Sequence, residues 1–220
     1  MIIQIAGVRD EKDLGIIIDS GATDIGFPLR LPVHKEDTTE QEARELILRI
    51  PKNIHKVLIT YLNTAREILE LSHYLAVDIV QLHGPVSVEE IKKIKLADPE
   101  LKIIKSLVVE KSNLAELTKT IKELEQFVDF FITDTYDAKT GASGATGKTH
   151  DWNISKKIVE LSTKPVILAG GLTPENVGLA IRTVKPAGVD VHTGVENDKG
   201  EKDAALVSKF VREAKKALIG

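Results

Sequence analysis

Short apolar, β-branched runs alternate with helical patterns eight times along the chain, and this rhythm limits the fold more than any other feature. The strand-like runs fall at residues 2–6, 24–27, 56–61, 78–82, 102–107, 129–133, 165–169 and 188–191. Helical patterns follow each of them, at 11–20, 39–50, 64–75, 87–97, 113–127, 153–162, 174–183 and 202–219. Several runs, such as Val57-Leu58-Ile59 and Val166-Ile167-Leu168, are apolar throughout rather than alternating. Strands of that kind belong to parallel sheets covered on both faces. Eight such units in 220 residues fit one (β/α)8 TIM barrel with a parallel eight-stranded core, as a single domain over 1–220. An open, doubly wound sheet is the competing arrangement, but no G-x-G-x-x-G turn follows the first strand. Local signals agree with the helices: Thr39 stands as an N-cap before a helix stopped by Pro51, and Ser87 caps another with Glu90 at the capping-box position.

Composition narrows the class. Thirty basic residues against thirty-three acidic ones give a net charge of −3, which does not supply the basic face of a nucleic-acid binder. No apolar run reaches the length of a membrane span. The opening Met1-Ile2-Ile3-Gln4-Ile5 lacks a signal peptide's basic and long apolar regions, so a cytoplasmic protein is expected. The chain has no cysteine, which excludes disulfides, thiolate metal ligands and thiol catalysis. Its six histidines show no metal-binding spacing, so no metal site is expected.

Chemistry in such a barrel sits on the loops after the C-terminal strand ends. The longest connection, 134–151, is rich in glycine and reads as a lid over the barrel mouth. Its Gly147-Lys148-Thr149 has Ala142 where a P-loop needs its first glycine, and the segment does not run directly from strand to helix. Asp134 stands at the end of the sixth strand, where partial cover would raise its pKa and suit it to general acid catalysis. Ala169-Gly170-Gly171-Leu172-Thr173-Pro174 and Val191-His192-Thr193-Gly194-Val195-Glu196 close the seventh and eighth strands. Glycines there let backbone N–H groups approach a ligand, and these two loops together suggest a phosphate site. A turn alone accounts for either segment singly. His83, between Leu82 and Gly84, occupies a mouth-facing position at the fourth strand end, whereas His73 lies inside a helix.

Val80-Gln81-Leu82-His83-Gly84, the Asp134-Thr135 pair with Thr146-Gly147-Lys148-Thr149-His150-Asp151-Trp152, the block from Pro165 to Val177 and the block from Gly188 to Glu196 resemble phosphoribosylanthranilate isomerase. The resemblance runs along the whole chain in the same order. It implies a (β/α)8 barrel and an Amadori rearrangement in tryptophan biosynthesis, without metal or organic cofactor. An acid opens the ribose ring and a base removes the C2 proton. Asp134 matches the acid. Gly170, Gly171, Thr193 and Gly194 would hold the phosphate, and Asp190 would join them in substrate binding. The implied partner is a small phosphorylated sugar, with no nucleic acid and no membrane, for a monomer or homodimer.

The departures cluster at the mouth. The family's Ile-Cys-Gly, which carries the base, reads Ile5-Ala6-Gly7. Its carboxylate-holding arginine is matched only approximately, by Lys35 or by Arg30. Phe-Asp-Trp has become His150-Asp151-Trp152, and Ser-Ser-Gly-Val-Glu has become His192-Thr193-Gly194-Val195-Glu196. His34, His83, His192, Asp24 and Asp137 are the candidate replacement bases. The chain then reads as a divergent isomerase of this kind, as an isomerase, epimerase or lyase of another phosphorylated sugar using a histidine base, or as a non-catalytic phosphosugar binder.

Overall fold

The computed structural model describes residues 1–32, 36–110, 112–137, 142–143 and 150–219. Eight parallel strands form a closed ring: β1 (Ile2–Ala6), β2 (Asp24–Leu29), β3 (His55–Thr60), β4 (Ile79–Leu82), β5 (Lys102–Val109), β6 (Phe130–Asp137), β8 (Val166–Leu168) and β9 (Gly188–Val191). The β5–β6 pairing joins the two halves of the wall, and β1 pairs with β9 from Ile2↔Gly188 to Ile5↔Val191. The (β/α)8 barrel expected from the strand rhythm is therefore the observed fold. Beyond that expectation, β6 extends to Asp137 because its end pairs antiparallel with the two-residue β7 (Ala142–Ser143).

Helices α1 (Glu11–Ser20), α2 (Glu40–Ile47), α3 (Ala65–Leu75), α4 (Val88–Ala97), α5 (Leu114–Leu124), α6 (Trp152–Leu161), α7 (Val177–Val184) and α8 (Ala204–Ile219) surround the ring. Side chains of Asp10, Thr39, Thr64, Ser87 and Asp151 accept first-turn N–H groups and so fix where five of them start. Thr39 and Glu42 form a full capping box. At Ser87 only half of the expected box forms. The Glu90 carboxylate instead accepts the Ala65 N–H at 2.6 Å, tying the start of α3 to α4.

The apolar side chains divide into two layers. One lies between strands and helices and holds residues such as Ile5, Phe27, Leu58, Ile103, Phe131 and Phe210. The other fills the ring itself with Ala6, Val57, Ile59, Ile79, Ile104, Ile132, Ile167 and Ala169. Successive strand residues face opposite sides. The inward parity therefore carries on from Ile132 to Asp134, from Ile79 to Gln81 and His83, and from Ala6 back to Gln4. This alternation lines the ring's interior with polar groups, of which Asp134 and His83 reach the C-terminal mouth.

Candidate active site

Asp134 ends this inward row on β6 and is 5% exposed. The N–H of Thr135 donates to its Oδ1 at 2.7 Å. Burial outweighs that bond and, with help from the nearby Asp190 charge, pushes the Asp134 carboxyl up to about 7. Such a group is part protonated at neutral pH and poised to give up a proton.

His83 Nε2 lies 3.7 Å from Asp134 Oδ2. Burial first, and then the Lys105 ammonium, pull this imidazole down to about 3, so the contact is not an ion pair. The ring stacks on Tyr61 with centroids 5.5 Å apart. Gln81 Nε2 sits 2.9 Å from His83 Nε2, and Gln81 Oε1 accepts from Gln4 Nε2 at 2.9 Å. Gln4 Nε2 also donates to Asp190 Oδ1 at 2.9 Å. A polar chain thus crosses the barrel from Asp190 through both glutamines to His83 and Asp134. The Gln81 amide donates to Nε2, which leaves the proton of neutral His83 on Nδ1, a buried atom with no protein partner. Asp190 is pushed up to about 7, chiefly by burial, against the opposing pull of the Gln4 amide and Lys202.

Gly170 and Gly171 follow β8, and Thr193 and Gly194 open a short 3-10 turn after β9. Asn176 braces the first loop, accepting the Thr173 N–H at 2.8 Å and donating to the Gly171 carbonyl at 2.9 Å. The two loops touch. A Cβ at Gly194 would lie 1.9 Å from the Leu172 carbonyl oxygen, so only glycine allows the approach. Gly170 packs against the side chains of Thr135 and His150. His150 Nδ1 lies 3.0 Å from Thr135 Oγ1 and its Nε2 lies 2.5 Å from Ser155 Oγ. Burial takes this imidazole down to about 4, so it links the hydroxyls in its neutral form.

The β1–β9 ladder ends at Ile5↔Val191, and His192 is the next residue after β9, leading into the 3-10 turn. Gly7 has φ +81, and a Cβ there would lie 2.1 Å from His192 Nε2, so the ring rests on the backbone at the end of β1. Its Nε2 is 3.3 Å from Glu196 Oε1 and 3.5 Å from Asp37 Oδ2. Buried Lys202 underlies the group. Its Nζ donates to Glu196 Oε1 at 2.7 Å and to the His192 carbonyl at 3.1 Å.

The other sequence candidates lie apart from these groups. Arg30, with φ 58 just past β2, is half exposed and pairs with Glu40. Its guanidinium lines a groove with Leu62, Glu67 and Tyr74, between α2 and α3. Asp24 begins β2, at the end of the barrel opposite the mouth, where it meets His55 at 3.2 Å. His34, Lys35 and most of the proposed lid, 138–141 and 144–149, lie outside the described residues, as does the side chain of Asp137. Gln4, Gln81, Asp37 and Lys202 escaped sequence reasoning. The two glutamines carried a usable signal, each being a lone polar residue in an apolar strand. Asp37 and Lys202 carried none, because their meeting depends on the folded loops.

Two kinds of comparison place this geometry among known proteins. The family model described as N-(5'phosphoribosyl)anthranilate (PRA) isomerase matches residues 3–213. N-(5'-phosphoribosyl)anthranilate isomerase 2 of Methanosarcina mazei is 39% identical over 216 residues, covering 98% of this chain and 94% of that protein. The Haloferax volcanii enzyme of the same name is 36% identical over 216 residues, 98% of this chain and 93% of its own. Phosphoribosyl anthranilate isomerase from Thermotoga maritima superposes with a TM-score of 0.83 at 28% identity, over 98% of this chain and 100% of that one. A phosphoribosyl anthranilate isomerase solved with reduced 1-(o-carboxyphenylamino)-1-deoxyribulose 5-phosphate gives a TM-score of 0.80 at 26% identity, over 98% of this chain and 100% of that one. With one barrel shared throughout and nearly the full length matched, this chain belongs to the N-(5'-phosphoribosyl)anthranilate isomerase family.

Proposed function

We propose that the protein isomerises N-(5'-phosphoribosyl)anthranilate to 1-(o-carboxyphenylamino)-1-deoxyribulose 5-phosphate in tryptophan biosynthesis, as a cytoplasmic monomer or homodimer. The observation that carries this reading is Asp134, a carboxyl enclosed at the mouth and pushed up to about 7. Its proton goes to the ribose ring oxygen as the C1–O bond breaks and the anilino nitrogen lone pair forms the C1=N bond. A base then takes the C2 proton, and the C2–H electrons make the C1=C2 enolamine. Return of a proton to C1 and loss of the enol proton give the ketose. The chain has no thiol for the second step, so an imidazole at the mouth serves as base. Gly170, Gly171, Thr193 and Gly194 receive the phosphate on their backbone, with Asp190 beneath them.

Purified protein given freshly generated phosphoribosylanthranilate should consume its fluorescence, and the gene should rescue a tryptophan auxotroph lacking this step. Complete inactivity of the pure, folded protein would overturn the reading. The Arg30 side chain, engaged with Glu40 away from the inward row, supports a second reading. In that case the site takes a phosphorylated pentose carrying some other group, and a screen of pentose phosphates would reveal turnover where the anthranilate compound gives none.

A further inference from the structure

We propose that His150 is a positioning residue: through the Thr135 hydroxyl it seats the glycine loop after β8 for the substrate phosphate. This rests on the reading of that loop as the phosphate site.

The β6–β8 ladder runs to Thr133↔Leu168, and the Ala169 N–H still donates to the Thr133 carbonyl at 3.0 Å. At Gly170 the backbone turns to φ +92, a left-handed conformation that leaves the strand direction. Something other than the ladder must then settle where the N–H groups of Gly170 and Gly171 point. Thr135 does so. A Cβ at Gly170 would lie 2.2 Å from Thr135 Oγ1 and 3.1 Å from His150 Nδ1, so the loop backbone rests directly on this pair.

A threonine hydroxyl by itself is a poor seat, because it can rotate among staggered positions. His150 removes that freedom. Its Nδ1 is 3.0 Å from Thr135 Oγ1, and its Nε2 is 2.5 Å from Oγ of Ser155, a fully buried residue of α6. A neutral imidazole has one donor and one acceptor nitrogen, so it serves both hydroxyls whichever nitrogen holds the proton. The near side of the loop is thereby tied to the body of a helix, while Asn176 ties the far side through Gly171 and Thr173. The backbone N–H of Thr135 separately serves the Asp134 carboxylate. A change confined to the Thr135 hydroxyl therefore disturbs the loop and spares the acid.

His150→Phe and Thr135→Val should each raise KM and weaken binding of inorganic phosphate about five- to tenfold, with kcat within about twofold of wild type. Calorimetry measures the phosphate affinity, and steady-state rates separate KM from kcat. Thr135→Ser, which keeps the hydroxyl, should match wild type. The double variant should lose no more than either single one, because both substitutions remove the same contact. Circular dichroism identifies any variant that fails to fold, and the remaining variants then decide. Folded variants that bind phosphate and substrate as wild type does would overturn the inference. So would losses that add in the double variant, or that fall on kcat alone. A wild type silent toward phosphoribosylanthranilate yet binding inorganic phosphate would take down the isomerase reading and leave this test in force. A wild type with no affinity for phosphate would take down the role of the loop and this inference with it.

Discussion

Nε2 of His83 stands 3.7 Å from Oδ2 of Asp134, close enough to shape the carboxyl's surroundings yet too neutral to keep it ionised. A protonated imidazole there would pull Asp134 down and leave it without a proton to give. The Asp134 carboxyl therefore keeps its proton towards neutral pH because its neighbour carries no charge.

Asp134→Asn should reduce kcat by about 10²- to 10⁴-fold while KM for the phosphorylated substrate stays within a few-fold of wild type. In the parent enzyme kcat should fall as pH rises through about 7, where the carboxyl loses its proton. Steady-state rates from pH 5.5 to 9 in both proteins test the two statements together.

The same carboxyls make stability depend on pH. Asp134 and Asp190 are both raised to about 7, above their unfolded values, so the folded protein holds protons that the unfolded chain releases. Their favourable contribution is complete below about pH 4 and is lost as pH climbs to about 7. Asp134→Asn and Asp190→Asn should each stabilise the protein at pH 7.5, on the order of 1–4 kcal/mol, with the gain vanishing near pH 4. Urea unfolding at the two pH values measures it.

Gly194→Ala would drive a methyl group into the Leu172 carbonyl and push the two glycine-bearing loops apart. KM should rise at least about tenfold, roughly 1.4 kcal/mol of lost binding, with kcat much less affected. Inhibition by inorganic phosphate should weaken in parallel.

His150→Phe should cost about 1–3 kcal/mol, because it strips partners from buried Thr135 and Ser155 hydroxyls. Thermal unfolding reports the loss. Adding Ser155→Ala should recover part of it by removing one orphaned hydroxyl.

Ala6→Cys places a thiol at the end of β1. It should raise isomerase turnover by about tenfold or more, through the most nucleophilic and acidic of the small side chains. Iodoacetamide should then abolish the added rate and leave wild type, which has no cysteine, untouched.

The barrel was legible because its signals are local. Val57-Leu58-Ile59 and Val166-Ile167-Leu168 declare strands buried on both faces, and Thr39, Thr64 and Ser87 mark helix starts by their own hydroxyls. Asp134, Gly170 and Gly194 were legible for a related reason, since strand ends in this fold face one mouth. Arg30 was less so. A single left-handed residue after β2 sets its direction, and the partner that captures it, Glu40, is ten residues away. The arrangement around His192 was beyond sequence altogether. Asp37 comes to it from the segment between β2 and α2, and Glu196 and Lys202 from the segment after β9.

The β1–β9 register governs how the protein is made. Ile2 cannot find Gly188, nor Asp13 the Lys202 amide, until almost the whole chain has left the ribosome. At about 5–20 residues per second, β1 waits on the order of ten seconds or more with one edge unpaired. An open edge of apolar strand recruits other nascent chains during that interval. Losing the last β/α unit would therefore cost more than an eighth of the stability: it would leave β1 and β8 both exposed as templates for aggregation.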